Sequence, residues 1–137
     1  MSYLTDVNGE RQRLYGDDLT FREWHRFPTL PAYCSMIDID IVEYCKDCRQ
    51  PLALIETAID VGQLFKPTTV TKNLAVLAGI PAYLILYKIA VKNQSIGDCR
   101  VKKIYPPESN FRLLEPEEVK ELIIQIHQNC FCGGEDG

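Results

Sequence analysis

Three carboxylates planted in apolar surroundings, Asp38, Asp40 and Glu56, are the residues of this chain best placed to do chemistry. They fall in the run Met36 to Asp60, MIDIDIVEYCKDCRQPLALIETAID, which reads as two β-strands, 36–44 and 51–58, joined by a short turn. In the first, Ile37, Ile39 and Ile41 alternate with Asp38, Asp40 and Val42, so a strand would turn both aspartates to one face. In the second, Leu52, Leu54 and Glu56 share a face, and Glu56 closes a run that reads as buried. Carboxylates in such settings are costly unless a cation sits between them. Mg²⁺ or Mn²⁺ meets that need with oxygen ligands, touches substrate phosphates, and suits phosphodiester cleavage. The competing reading is a solvent-facing strand whose aspartates are simply hydrated.

A second set of ligand-type residues is soft. Cys45-Lys-Asp-Cys48 occupies the turn between the two strands, and Cys130-Phe-Cys132 follows the last helix. Four thiolates from two short loops make a closed tetrahedral zinc site, tying the tail to the hairpin. Free thiols are the alternative, and a redox pair at Cys45 and Cys48 is disfavoured because the pair does not open a helix. Cys34 and Cys99 read as ordinary core cysteines.

The elements that must position these groups follow from periodicity and breakers. Asp18 or Thr20 caps a short helix through FREWHR, which carries Glu23 and is closed by Pro28 and Pro31. After the strand pair, a connector ends at Lys66-Pro67, and Thr68 or Thr69 opens a helix, TTVTKNLAVLAG, that stops at Gly79. Residues 82–91 form a strongly apolar strand, a turn covers 92–97, and a further strand runs from Asp98 to Tyr105. Pro106-Pro107 breaks the chain, and a helix from about Pro116 to Gln128 carries acids in its first turn. The expected order is α-β-β-α-β-β-α, a single α/β (α+β) domain with a central mixed sheet flanked by helices. The strand–helix–strand unit over 51–89 predicts one parallel strand pair. Residues 1–17 read as a loose lead-in and 130–137 as a Cys/Gly tail.

Composition limits the function classes. A chain of 137 residues, 46% hydrophobic and 25% charged, forms one globular domain with a real core. No apolar run approaches about 18 residues, so no membrane helix is expected. The N-terminus lacks the pattern of a signal peptide, which favours a cytoplasmic protein with reduced cysteines or metal-bound ones. The net charge of -4 hides an asymmetry: residues 51–105 carry +4 and residues 106–137 carry -5. A basic middle allows a local phosphate-binding face, to which Thr68, Thr69 and Lys72 at the helix start would contribute free N–H groups and charge. Helix capping alone also explains the threonines, and is the favoured reading.

The acid pattern resembles the PD-(D/E)XK nuclease superfamily, which has the restriction-endonuclease-like fold. Asp40 in Ile39-Asp40-Ile41 matches the first acid of that family, on one strand of a hairpin. Glu56 in Leu54-Ile55-Glu56-Thr57-Ala58 matches the second, on the next strand. Glu23 matches the acid that the first helix often adds, and TTVTKNLAVLAGIPAYLILY resembles the helix and strand completing the core. The resemblance covers residues 20–90. It implies a metal-dependent nuclease acting on DNA, with Glu23, Asp40 and Glu56 at the site and Asp38 in support. The chain departs from the family at Ala58, where the motif lysine belongs. That lysine polarises the attacking water and stabilises developing charge. The nuclease reading therefore requires a substitute, for which Lys66 is the first choice and Lys72 or Gln63 the second.

So small a chain would leave no room for a separate sequence-reading domain. DNA would be recognised by shape or through a second subunit in a homodimer, as in resolvase- or repair-like action, and a phage gene would be a natural setting. The alternative is a catalytically degenerate, zinc-stabilised module of the same fold that binds nucleic acid or protein. A third reading is an unrelated α+β interaction protein whose strand acids are only hydrated.

Overall fold

A computed structural model describes residues 20–26, 30–90, 95–130 and 132. The expected lead-in at 1–17, the alternative cap Asp18 and the tail beyond Cys132 lie outside them. Two compact units are distinguished, Met1–Asp38 and Ile39–Gly137. The described part of the first holds helix α1, Thr20–Arg26, whose Arg22 guanidinium donates to the Asp38 carboxylate.

The second unit is a five-stranded mixed sheet in the order β1-β2-β3-β4-β5. Its strands are β1 (Ile41–Tyr44), β2 (Pro51–Ile59), β3 (Ala82–Ala90), β4 (Ser95–Tyr105) and β5 (Arg112–Leu114). Helices α2 (Thr69–Ala78) and α3 (Pro116–Gln128) cover it. The expected fold class holds, including the one parallel pair, β2 with β3, made possible by the α2 crossover.

Two differences from the sequence reading bear on the site. β1 begins at Ile41 and not at residue 36, so Asp38 and Asp40 precede the strand and do not alternate along it. Ile41 pairs with Ile55, and continuing the ladder would set Asp40 opposite Glu56. Instead the Asp40 carboxylate Oδ2 accepts the Thr57 N–H at 2.8 Å, so a side chain takes up the backbone donor where the ladder stops. The second difference is β5, a three-residue strand too short to show a period.

Apolar residues divide between the two faces of the sheet. Ala53, Ile55, Tyr83, Ile85, Cys99 and Val101 pack with Val119 and Ile126 of α3. Leu54, Ala82, Leu84, Leu86 and Ile104 pack with Ala75 of α2. β2 and β3 are thus buried on both faces, which is why their sequences run LALI and AYLIL without polar alternation. Leu52 was expected to share a face with Leu54, but packs against the α3 cluster. The register shift at Glu43/Tyr44, beside the turn where Arg49 has φ 66°, breaks the period there. Gly79 ends α2 in the left-handed conformation (φ 71°), with its N–H on the Ala75 and Val76 carbonyls.

Candidate active site and four-cysteine cluster

Glu56 lies on the α2 face of β2, between Leu54 and Ala58, and only 5% of it is exposed. A carboxylate so buried needs partners, and two reach it. From the first turn of α2, the buried Thr71 hydroxyl donates to Glu56 Oε2 at 2.5 Å. From the connector before that helix, Lys66 Nζ donates to Glu56 Oε1 at 3.2 Å.

Lys66 holds more than one group. Its ammonium also donates to Asp40 Oδ2 at 3.1 Å and to the Thr57 carbonyl at 2.9 Å. One amine thus lies between both carboxylates and caps the backbone of β2. Burial alone would push the Lys66 amine down, but the bonds to Asp40 and Glu56 outweigh it and raise its pKa above the ordinary lysine value. Burial would likewise raise Asp40. The Thr57 N–H and the Lys66 ammonium outweigh that and hold its carboxyl below the usual range.

The connector that delivers Lys66 is itself anchored. Arg100 on β4 donates from Nε and Nη2 to the two oxygens of Asp60, at 3.0 and 2.8 Å, and from Nη2 to the Gln63 carbonyl at 2.8 Å. The Arg100 guanidinium and the Gly62 N–H pull the Asp60 carboxyl down to about 2. The Gln63 side chain caps the same bend, accepting the Val61 N–H and donating to the Ile59 carbonyl. These bonds shape the loop, and none of the Gln63 bonds reaches Asp40 or Glu56. The single-sequence reading had no signal for the Asp60–Arg100 pair, whose members are 40 residues apart.

The remaining expected site residues divide by unit. Asp38 pairs with Arg22, and Glu23 is exposed in the first turn of α1, both in the N-terminal unit. Thr68 stands at the N-cap of α2 but its side chain makes no capping bond, so capping does not account for it. Thr69 and Lys72 are exposed on that first turn. Lys66, Thr68 and Lys72 line a cleft of about 240 Å³ with Lys102 and Lys103 of β4.

At the opposite end of the hairpin the four cysteines converge. Sγ atoms of Cys45 and Cys132 are 3.5 Å apart, those of Cys48 and Cys130 3.6 Å, and those of Cys130 and Cys132 3.5 Å. All four lie within 4.8 Å of one another. Ligands about 2.3 Å from a tetrahedral zinc have edges of about 3.8 Å, so the cluster has the dimensions of a Cys₄ metal site. The N–H groups of Cys48 and Asp47 pull the Cys45 thiol down to about 6, while the neighbouring sulfurs push Cys132 up. Four thiolates this close repel one another unless a cation joins them. Among the described residues this is the one group of three or more Cys, His, Asp or Glu with metal-ligand proximity. His127, for which the sequence offered no partner, has its Nε2 2.6 Å from Glu43 Oε1, close to the cluster in sequence on both sides.

Among the described residues no helix is long and apolar enough to cross a membrane. No protein-family model matches the chain. Comparison with the curated proteins and with the solved structures gave no significant match.

Proposed function

We propose that the chain is a metal-dependent nuclease acting on DNA phosphodiester bonds, a divergent relative of the PD-(D/E)XK enzymes in which Lys66 serves for the lysine absent at Ala58. The observation that carries this reading is the Lys66 amine, 3.1 Å from Asp40 and 3.2 Å from Glu56, in a connector that leads into the helix following the second acid. The order hairpin, acid, acid, helix and parallel strand supports the same reading.

The residues fit the implied metal. Both carboxylates already draw one cation, the Lys66 ammonium, which a metal would displace from between them, and hard oxygen donors suit Mg²⁺ or Mn²⁺. Asp40 and Glu56 would hold it, and when bound it would supply charge neutralisation and a more acidic water. Thr71 fixes the rotamer of Glu56 through its 2.5 Å bond. Thr57 fixes Asp40 through its N–H. All three Lys66 N–H donors are taken, by Asp40, Glu56 and the Thr57 carbonyl, so Lys66 would serve a phosphate oxygen or an attacking water once a metal at the carboxylates releases it. At the other end of the hairpin, the four cysteines would bind a structural zinc that fixes the strand pair carrying the site.

One observation favours the second reading, a zinc-stabilised binding module of the same fold. The ammonium already satisfies both acids, and no buried polar side-chain atom among the described residues lacks a partner. Plasmid and branched-DNA cleavage with Mg²⁺ or Mn²⁺ separates the two. Nicking by wild type that is lost in Glu56→Gln, with the fold retained, supports the nuclease. No cleavage by folded wild type under either metal supports the binding module.

A further inference from the structure

The cleft beside Lys66 has a composition that the carboxylate pair does not explain. Its walls carry Lys66, Lys72, Lys102 and Lys103, against Glu108 as the one acid lining it. Glu108 is engaged, accepting the Lys103 N–H at 3.0 Å. Among the described residues, Lys72, Lys102 and Lys103 have no carboxylate within ion-pair distance. Lys72 is exposed, whereas the Lys103 amine lies 5.7 Å from the Tyr83 ring, on the other face of the sheet. Two aromatic rings stand among these cations. Phe111 has the Arg100 guanidinium 4.7 Å and the Lys102 amine 5.2 Å from its centroid. Phe65, next to Lys66 in the chain, is 70% exposed.

We propose that this cleft binds a single nucleic-acid strand, with phosphates on Lys72 and Lys102 and an unstacked base on Phe65. Lysines alone would suit any polyanion, but the exposed ring discriminates. A base inside a duplex has both faces covered by its neighbours, whereas an unpaired base offers a free face to an aromatic side chain. A tract of lysines with interleaved aromatics is the arrangement that single-stranded nucleic acid rewards. The inference deepens the nuclease reading by naming its substrate class, since the cleft adjoins the Asp40–Glu56 pair. Binding by the cleft does not itself require cleavage.

The test is fluorescence anisotropy with a labelled single-stranded oligonucleotide and with the duplex made from it, without added divalent metal. The single strand is expected to bind about tenfold more tightly than the duplex. Phe65→Ala should weaken single-strand binding about five- to a hundredfold, while Phe65→Trp should retain it. Lys72→Gln with Lys102→Gln should flatten the slope of log affinity against log salt by about 0.7 per lysine removed. Equal or tighter duplex binding, no binding, or indifference to Phe65→Ala in a folded variant would overturn the inference. A nicking assay on the same preparations keeps the two proposals apart. Nicking without single-strand preference sinks the cleft proposal and leaves the nuclease. Single-strand binding without cleavage of either the single strand or a plasmid under Mg²⁺ or Mn²⁺ sinks the nuclease and leaves the cleft.

Discussion

His127 Nε2 and Glu43 Oε1 meet at 2.6 Å, joining the last turn of α3 to β1 just before each element passes into the cysteine cluster. The pair is partly exposed, at 40% and 21%, so its contribution is modest. A double-mutant cycle of His127→Ala and Glu43→Ala is expected to give a coupling of roughly 0.5–1 kcal/mol by chemical denaturation. Coupling indistinguishable from zero would mean the contact is not held in solution.

Metal analysis of purified protein is expected to find about one zinc per chain, as four thiolates closing one site require. Cys48→Ser should lose it, and Cys34→Ser should keep it. Chelation should lower the thermal midpoint of wild type and leave that of Cys48→Ser unmoved, because only a site present in the folded state links metal to stability. Wild type free of metal and indifferent to a chelator would leave the cluster as four close thiols.

Lys66→Ala is expected to reduce nicking about 100-fold or more, the scale on which a positioned proton donor or cation acts. Its stability effect has a defined pH window. Asp40 has a lowered pKa, so its contribution is present above the unfolded value of about 3.9 and lost as acid takes it through the folded value. Lys66 has a raised pKa, so its contribution is present below about 10.4 and lost as pH rises through the folded value. Lys66→Met should therefore lower the thermal midpoint mainly between those limits and converge on wild type at both extremes. A uniform offset across pH would argue against the ion pair as the cause.

Asp60 makes a separate acid-side prediction. Its carboxyl, pulled down to about 2 by Arg100, stabilises the fold above the unfolded value of about 3.9 and ceases to do so as pH falls through about 2. Asp60→Asn should flatten the fall in thermal midpoint over that interval. Arg100→Gln, which leaves Asp40, Glu56 and Lys66 in the sequence, should lower nicking by loosening the connector that carries Lys66. Unchanged nicking in Arg100→Gln would show that the connector holds without it.

The sheet was legible because its strongest signals are local. LALI and AYLILY carry enough contiguous apolar residues to read as strands, and Pro67, Gly79 and Pro116 mark helix ends by backbone chemistry alone. The boundary of β1 was not legible, because Ile-Asp alternation at 37–40 looks the same whether the backbone or the Asp40 side chain takes the Thr57 N–H. Lys66 was legible as a candidate by its nearness to the helix start. Its convergence on Asp40 depends on Arg100, 34 positions further on, and such distance leaves no local trace. The cysteine pairs were readable from spacing, whereas the partner of His127 depended on which face of the sheet α3 covers.

The contacts of Cys45 with Cys132 and of Cys48 with Cys130 span 87 and 82 residues, nearly the whole of the larger unit. A metal there would turn an open chain into a ring, and closing a loop of that length carries an entropy of about 4 kcal/mol. The two margins of the sheet would then differ in how readily they fray. β1 would be pinned from the turn at its end and by His127, while the three-residue β5 would hold only to β4 and its neighbouring helix. Amide hydrogen exchange should consequently enter the sheet from β5 and reach β1 late, reversing that order when the metal is stripped.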